Sequence, residues 1–380
     1  MPGLDGPAQR RGDGMHPMIK PALRRGWRDR ETVQYGVAPA HAVLLGPMGD
    51  ATAAFMELMD GTRSMERLKQ EAHRLGLAPQ TPDKLTERLT TAGVLDDATA
   101  DRAASAAVTD RLRPDLASLS VVHREPGGAV RRLAARRAAR VQVRGAGRVG
   151  AAVATTLAAA GVGQVDVVDG GVVEEWDTAP GGIPAAQAGM RRDAAARGTV
   201  RQTRAWRSKS RGRIDLVIIA PRDGLDAYAP DPELSERFMT AQTPHLYGGV
   251  VEATGVVGPL VLPGSSPCSD CLTRTRTDRE PSWPMLVGQW RTANRRRTGV
   301  PACDVALATV VAGATASYAL SYLDGDGACA AGYRLRFALP HLLPDTEQFA
   351  AHPECPCGAA SVSAPTADSG NPDPHATMAG

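Results

Sequence analysis

No apolar run in this 380-residue chain reaches the ~18 residues of a membrane-crossing helix, and no hydrophobic signal segment opens it. Neither a membrane nor a secretory route is expected, and a cytoplasmic compartment would keep thiols reduced. Charge of one sign is missing too. The 44 lysines and arginines face 41 aspartates and glutamates, for a net +3, so bulk electrostatics do not argue for nucleic acid. Lysine is scarce, and the basic residues are nearly all arginine. Two arginine clusters, Arg131, Arg132, Arg136, Arg137 and Arg140, then Arg291, Arg295, Arg296 and Arg297, read as solvated linker or loop. No Ser/His/Asp or paired-carboxylate arrangement has the context for hydrolysis. His245 in TPHLYGGV reads as packing at a strand end, and His341 in LPHLLP has no evident partner.

What the chain does have is four cysteines in two tight pairs: Cys268 and Cys271 in PCSDCL, Cys355 and Cys357 in HPECPCGA. A C-x-x-C joined to a distant second pair suits a closed tetrathiolate zinc site, because zinc takes four soft ligands in a tetrahedron. The C-x-C half is tighter than usual. Disulfides are the other reading, and His352 in HPEC is an alternative fourth ligand. Cys303 and Cys329 lie beside apolar, alanine-rich stretches and read as small core residues, with a reactive thiol as the lesser reading.

With 43% hydrophobic residues, the chain is long enough for two domains. Residues 1–16 have no periodicity and are expected to be disordered. Residues 17–97 form a small unit. Strand-like RGWRDRETVQYGV and HAVLLG precede three helices: DATAAFMELMD, SMERLKQEAHRLG capped by Ser64, and TPDKLTERLTTAG with Thr81 as cap and Gly93 as stop. Strands plus three short helices predict a winged-helix-type α+β module. Residues 98–140 read as an Ala/Arg-rich linker with one strand, LSVVHR. Residues 141–358 alternate apolar strands and helices, which predicts a doubly wound, Rossmann-like α/β domain with a mainly parallel sheet, clamped by zinc at its C-terminal part. Residues 359–380 are expected to be a disordered tail.

Gly145, Gly147 and Gly150 form G-A-G-R-V-G between an apolar strand and a helix. Glycines there permit a tight turn and close approach to phosphate at the helix N-terminus. Asp169 ends the next strand, where a carboxylate takes ribose hydroxyls. A glycine turn kept for packing alone is the alternative.

The order of glycine turn, GVGQVDVVD, PCSDCL and HPECPCG over residues 140–358 resembles the ThiF/MoeB family of ubiquitin-activating-enzyme-like adenylyltransferases. The resemblance implies adenylation of a carrier-protein carboxylate with ATP and magnesium, by a homodimer, with Gly145, Gly147, Gly150 and Asp169 holding the nucleotide. Arg192 aligns with the family lysine and would grip phosphate. Asp223 stands one residue past the magnesium-linked aspartate position, which here holds Arg222. Gly171 replaces a second aspartate, Asp177 an asparagine, and Pro180 a phosphate-gripping arginine; Arg191 or Arg148 would have to substitute. Cys303 is a distant candidate for a thioester cysteine.

The N-terminal stretch resembles PqqD-like modules, which bind a precursor's leader peptide as an added strand. Here the edge would lie in Trp27–Val37 and the helix in Leu85–Thr91, with Trp27 and Tyr35 as anchoring aromatics. DNA binding is disfavoured, since Lys84 and Arg88 on the third helix are offset by Asp83 and Glu87. Three functions follow: an adenylating enzyme acting on a carrier protein or precursor peptide; a catalytically weakened leader-binding scaffold for a partner cyclodehydratase; and a dinucleotide-dependent oxidoreductase, which the zinc pairs argue against.

Overall fold

Short strands and capped helices build the N-terminal part. The computed structural model describes residues 14–99, 109–206, 212–296, 299–326 and 331–361. Two compact units divide between Leu133 and Ala134. In the first, β1 (Pro17–Ile19) pairs with the later β5 (Leu95–Asp97), and β2 (Arg25–Trp27), β3 (Val33–Tyr35) and β4 (Val43–Leu45) form an antiparallel sheet with β2 and β4 at its edges. Three helices follow: α1 (Asp50–Glu57), α2 (Met65–Arg74) and α3 (Thr81–Thr91). Ser64 caps α2 by accepting from the Arg67 amide. Thr81 is the first residue of α3 and not its cap, and Gln80 precedes it without a side-chain bond. Phe55, Leu68, Leu89 and Tyr35 close the core of this unit. Tyr35 is 2% exposed and Trp27 47%. Of the two expected anchors, only Trp27 presents a surface.

Residues 1–13 and 362–380, most of the segments expected to be disordered, lie outside the described residues, as do Cys329 and Arg297. Met15 and His16 are bonded into the first unit, the latter through the Asp97 carboxylate. The expected linker strand is helical. α4 (Arg113–Val122) opens with Pro114 in its first turn, where a missing N–H costs nothing, and α5 (Gly128–Ala138) is an Ala/Arg helix. Buried Lys20 donates to the His123 carbonyl, and buried Asp96 accepts from the Gly127 amide, so this segment belongs to the first unit's hydrogen-bonding scheme.

The second unit is a seven-stranded sheet of β6 (Arg140–Arg144), β7 (Gln164–Val168), β8 (Leu216–Ile219), β9 (His245–Val251), β10 (Thr254–Val261), β11 (Tyr333–Ala338) and β12 (Pro344–Gln348). The order is β12-β11-β10-β9-β8-β6-β7. Strands β7, β6, β8 and β9 run parallel, and β10 to β12 extend the sheet antiparallel. From β6 the chain passes through α6 (Arg148–Ala159) to one neighbour, then through α7 (Arg192–Thr203) to β8 on the other side. The strand order therefore reverses at β6, and a crevice opens beyond the carboxyl ends of β6 and β8. The helices α8 (Leu225–Tyr228), α9 (Pro232–Thr240), α10 (Ser269–Arg279), α11 (Trp283–Arg296) and α12 (Val305–Ser321) complete the unit.

The stretch Val305–Asp326 is long and apolar enough, by length and composition alone, to cross a membrane, which the sequence reading did not anticipate. Leu307, Ala308, Val311, Ala312, Ala316 and Ala319 along it are buried, and α12 lies against α6, β9 and β10. One face of this helix belongs to the core, while Val305 and Val310 on it stay exposed. The first arginine cluster is not all solvated. Arg136 forms a buried two-bond pair with Asp324 at 2.8 and 2.6 Å, and Arg140 bonds Asp166 at 2.8 Å. Arg291 bonds the Ala229 carbonyl, so it too is engaged.

Candidate functional site: a glycine turn, an ion-pair row and a thiolate cage

Gly145 leaves β6 with a φ of 106°. A Cβ there would lie 1.9 Å from the Ala220 carbonyl oxygen, and one on Gly150 would lie 2.2 Å from the Gly145 oxygen. Only glycine fits either position, so packing alone demands both. Gly147 precedes α6, whose first turn no side chain caps. The amides of that turn are left to a ligand or to water.

Asp169 follows β7 and is already engaged. Its Oδ2 accepts from the Ala146 amide at 2.8 Å, and its Oδ1 from the Gly171 amide and from Arg192 Nε, both at 2.9 Å. Arg192 also donates to the Val172 carbonyl and approaches Asp177 at 3.6 Å. Asp177 in turn accepts from Arg222 Nε at 2.6 Å and from the Glu174 amide at 2.9 Å. A row of alternating charge results: Asp169, Arg192, Asp177, Arg222. Its two carboxylates are almost wholly buried, 7% and 3% exposed. The Trp176 ring lies 5.9 Å from the Arg222 guanidinium.

Gly171 explains the row. A Cβ at that position would meet Arg192 Nη2 at 2.0 Å. The guanidinium thus fills the space that a side chain at 171 would take, so the residues at 171 and 192 are sterically coupled.

Beyond the row is a small cleft, open to solvent, lined by Gly147, Arg148, Trp176, Asp177, Arg222 and Cys303 among others. It sits at the strand-order reversal. Of the residues expected to hold the nucleotide, Gly147 and Gly150 line it, whereas Gly145, Asp169 and Arg192 are not among its lining residues. Asp223 does not line it; its carboxylate accepts from the Leu225 amide at the start of α8. Arg191 pairs with Asp193 on the surface, and Pro180 is exposed in a turn. Arg148 does reach the cleft and donates to the Cys303 carbonyl at 2.7 Å. Burial pushes the Cys303 thiol up to about 11, which leaves it protonated and a poor nucleophile near neutrality. Sequence reasoning missed Trp176, Val300 and Pro301 as lining residues. Trp176 carries one sequence signal, its adjacency to Asp177, where the family resemblance expects an asparagine.

The cysteines converge as expected. The Sγ atoms of Cys268, Cys271, Cys355 and Cys357 all lie within 4.8 Å of one another, with neighbours at 3.8, 3.6 and 3.6 Å. A zinc ion at ~2.3 Å from each of four sulfurs in a tetrahedron requires edges of ~3.8 Å. The cage fits zinc. His352 is no ligand: its Nε2 bonds Asp278 at 2.9 Å, and its Nδ1 accepts from the Glu354 amide. His245 is buried between Phe238 and Tyr247 and bonds the Thr243 carbonyl.

The model of the ThiF family matches residues 129–357. No curated protein matches by sequence. Among solved structures, E. coli MccB with succinimide is 13% identical, with a TM-score of 0.68 over 90% of this chain and 99% of that one. E. coli MccB with AMPCPP and MccA is 13% identical at 0.67, covering 91% and 100%. The heterocyclase TruD is 17% identical at 0.57, over 91% of this chain and 43% of its own. At these identities the likeness is one of fold.

Proposed function

Since the chain belongs to the ThiF family, we propose that it works in the maturation of ribosomally made peptides, as an adenylyltransferase-like protein that binds a precursor peptide and presents it to a partner enzyme such as a cyclodehydratase. One observation carries this reading. The ion-pair row from Asp169 to Arg222 fills with internal partners the positions where the family would hold ribose and magnesium. The MccB structures with MccA support a peptide as the partner class. The likeness to the heterocyclase TruD, of which the match covers 43%, supports a setting in peptide modification. The edge strand β2 with exposed Trp27 is the surface on which an extended leader peptide would add as a strand. Zinc in the cysteine cage staples the domain and takes no part in the chemistry.

Titration of ribosomal leader peptides against the zinc-loaded protein tests this. Micromolar binding that weakens in Trp27→Ala, together with no pyrophosphate exchange from Mg·ATP, is expected. Peptide-dependent exchange that disappears in Arg192→Ala would overturn it in favour of the second reading, ATP-dependent adenylation of the peptide. The intact glycine turn and the uncapped first turn of α6 favour that second reading. Homodimerisation, implied by the family resemblance, is checked by light scattering on the same sample.

A further inference from the structure

We propose that the cleft at the head of α6 takes a phosphate-bearing ligand without magnesium, with Arg148 and Arg222 meeting the ligand's charge. The argument starts from the donor set. Magnesium needs near-octahedral oxygen ligands, commonly one or two carboxylates beside phosphate and water. Among the described residues the only carboxylate lining the cleft is Asp177, and both its oxygens are engaged, by Arg222 and by the Glu174 amide. Asp169 has both oxygens engaged as well. Asp223 is turned to α8. The residue standing where the family places its magnesium-linked aspartate is Arg222, which repels a cation. The residues present do not fit magnesium.

They do fit an anion. Arg222 Nη2 and Arg148 Nε are buried atoms with no hydrogen-bond partner. A buried donor left unmade is costly, and a small turn of either side chain toward the cleft lets an arriving acceptor complete it. The Arg222 fork is half used: Nε is fixed on Asp177, which aims the other arm, and Trp176 flanks the guanidinium. Arg148 is tied by Nη1 to the Cys303 carbonyl and keeps Nε for the ligand. Between them the uncapped first turn of α6 offers backbone N–H groups and the positive end of its dipole. Two oriented guanidiniums and a helix start provide the neutralisation that a divalent cation provides elsewhere.

The test compares pyrophosphate and ATP, each titrated calorimetrically into full-length, zinc-loaded protein. Buffer is cleared of free magnesium by a chelating resin before protein is added, then supplemented with excess magnesium in a parallel run. The dissociation constants are expected to agree within about threefold, and Arg148→Ala or Arg222→Gln to weaken binding by about tenfold or more in both buffers. Arg222→Asp, which restores the family residue, is expected to bind only with magnesium. Zinc content and circular dichroism check that each variant is folded, and the wild-type comparison needs no variant. Binding that requires magnesium in the wild type overturns the inference, as do binding indifferent to both arginines and no binding in either buffer. Leader-peptide binding, read on the same sample, scores the docking function separately.

Discussion

Replacing Gly171 by alanine should cost stability only because Arg192 is there. The backbone at Gly171 is not in the left-handed region, so the methyl itself brings no conformational strain. It would sit 2.0 Å from Arg192 Nη2 and 2.4 Å from Cζ, so the guanidinium must leave. Leaving breaks the 2.9 Å bond to Asp169 and the 2.8 Å bond to the Val172 carbonyl. The Arg192 and Asp169 side chains are 13% and 7% exposed, so solvent screens little of the pair. A charged hydrogen bond of this kind is worth about 1.5–3 kcal/mol, and Asp169 keeps its two amide donors, so Gly171→Ala should cost about 2 kcal/mol. Arg192→Ala should cost about 3 kcal/mol, since it leaves a nearly buried carboxylate without its cation. In the Arg192→Ala background, Gly171→Ala should cost under about 0.5 kcal/mol, a coupling near 2 kcal/mol. Urea unfolding of the four proteins, followed by tryptophan fluorescence, measures this. Equal costs of Gly171→Ala in both backgrounds would refute the claim that the two positions form one unit.

Gly145→Ala should destabilise the second unit by more than about 3 kcal/mol, because it puts a methyl against the Ala220 carbonyl at a positive φ; soluble yield and urea midpoint report it. Elemental analysis should find one zinc per chain, lost in Cys271→Ser and retained in His352→Ala, whose ring faces Asp278. Burial holds His245 at about 4, below its ordinary 6.5, so the native state keeps it neutral. The unfolded chain then binds more protons between these values, and the stability is full above about 6.5 and lost as pH falls toward 4. That loss should reach about 3 kcal/mol and be flattened in His245→Phe, read by urea unfolding across this range. Arg136→Ala should cost about 3–5 kcal/mol, since it strands Asp324 in the interior.

The glycine turn, the alternation of strand and helix through β8, and the four thiolates were all legible because each depends on residues near one another in sequence or on a spacing with a single chemical use. The ion-pair row was not. It depends on an empty volume at Gly171 that only becomes visible when Arg192, on another element, fills it. Arg136 was misread for a similar reason, because its partner Asp324 lies 188 positions away. A cluster of arginines in an alanine-rich stretch carries no mark of which one turns inward. LSVVHR reads as a strand because of its paired valines Val121 and Val122, while Pro114 in the first turn of α4 marks a helix start well upstream. Tyr35 carries the same aromatic signature as an exposed anchor, and only its place in one core cluster with Val33, Phe55 and Leu68 shows that it faces in.

The thiolate cage also governs how the chain survives being cut. Its ligands come from both sides of a long excursion that leaves the sheet after β10 and returns through α11, α12, β11 and β12. A single proteolytic nick anywhere between Cys271 and Cys355 would yield two polypeptides still gripping one ion, two sulfurs each. Such a clipped protein should run as one species under native conditions, and in denaturant its two fragments should separate fully only once a chelator is added. A metal held there would act as a reversible splice, keeping the connectivity of the fold after the covalent chain has lost it.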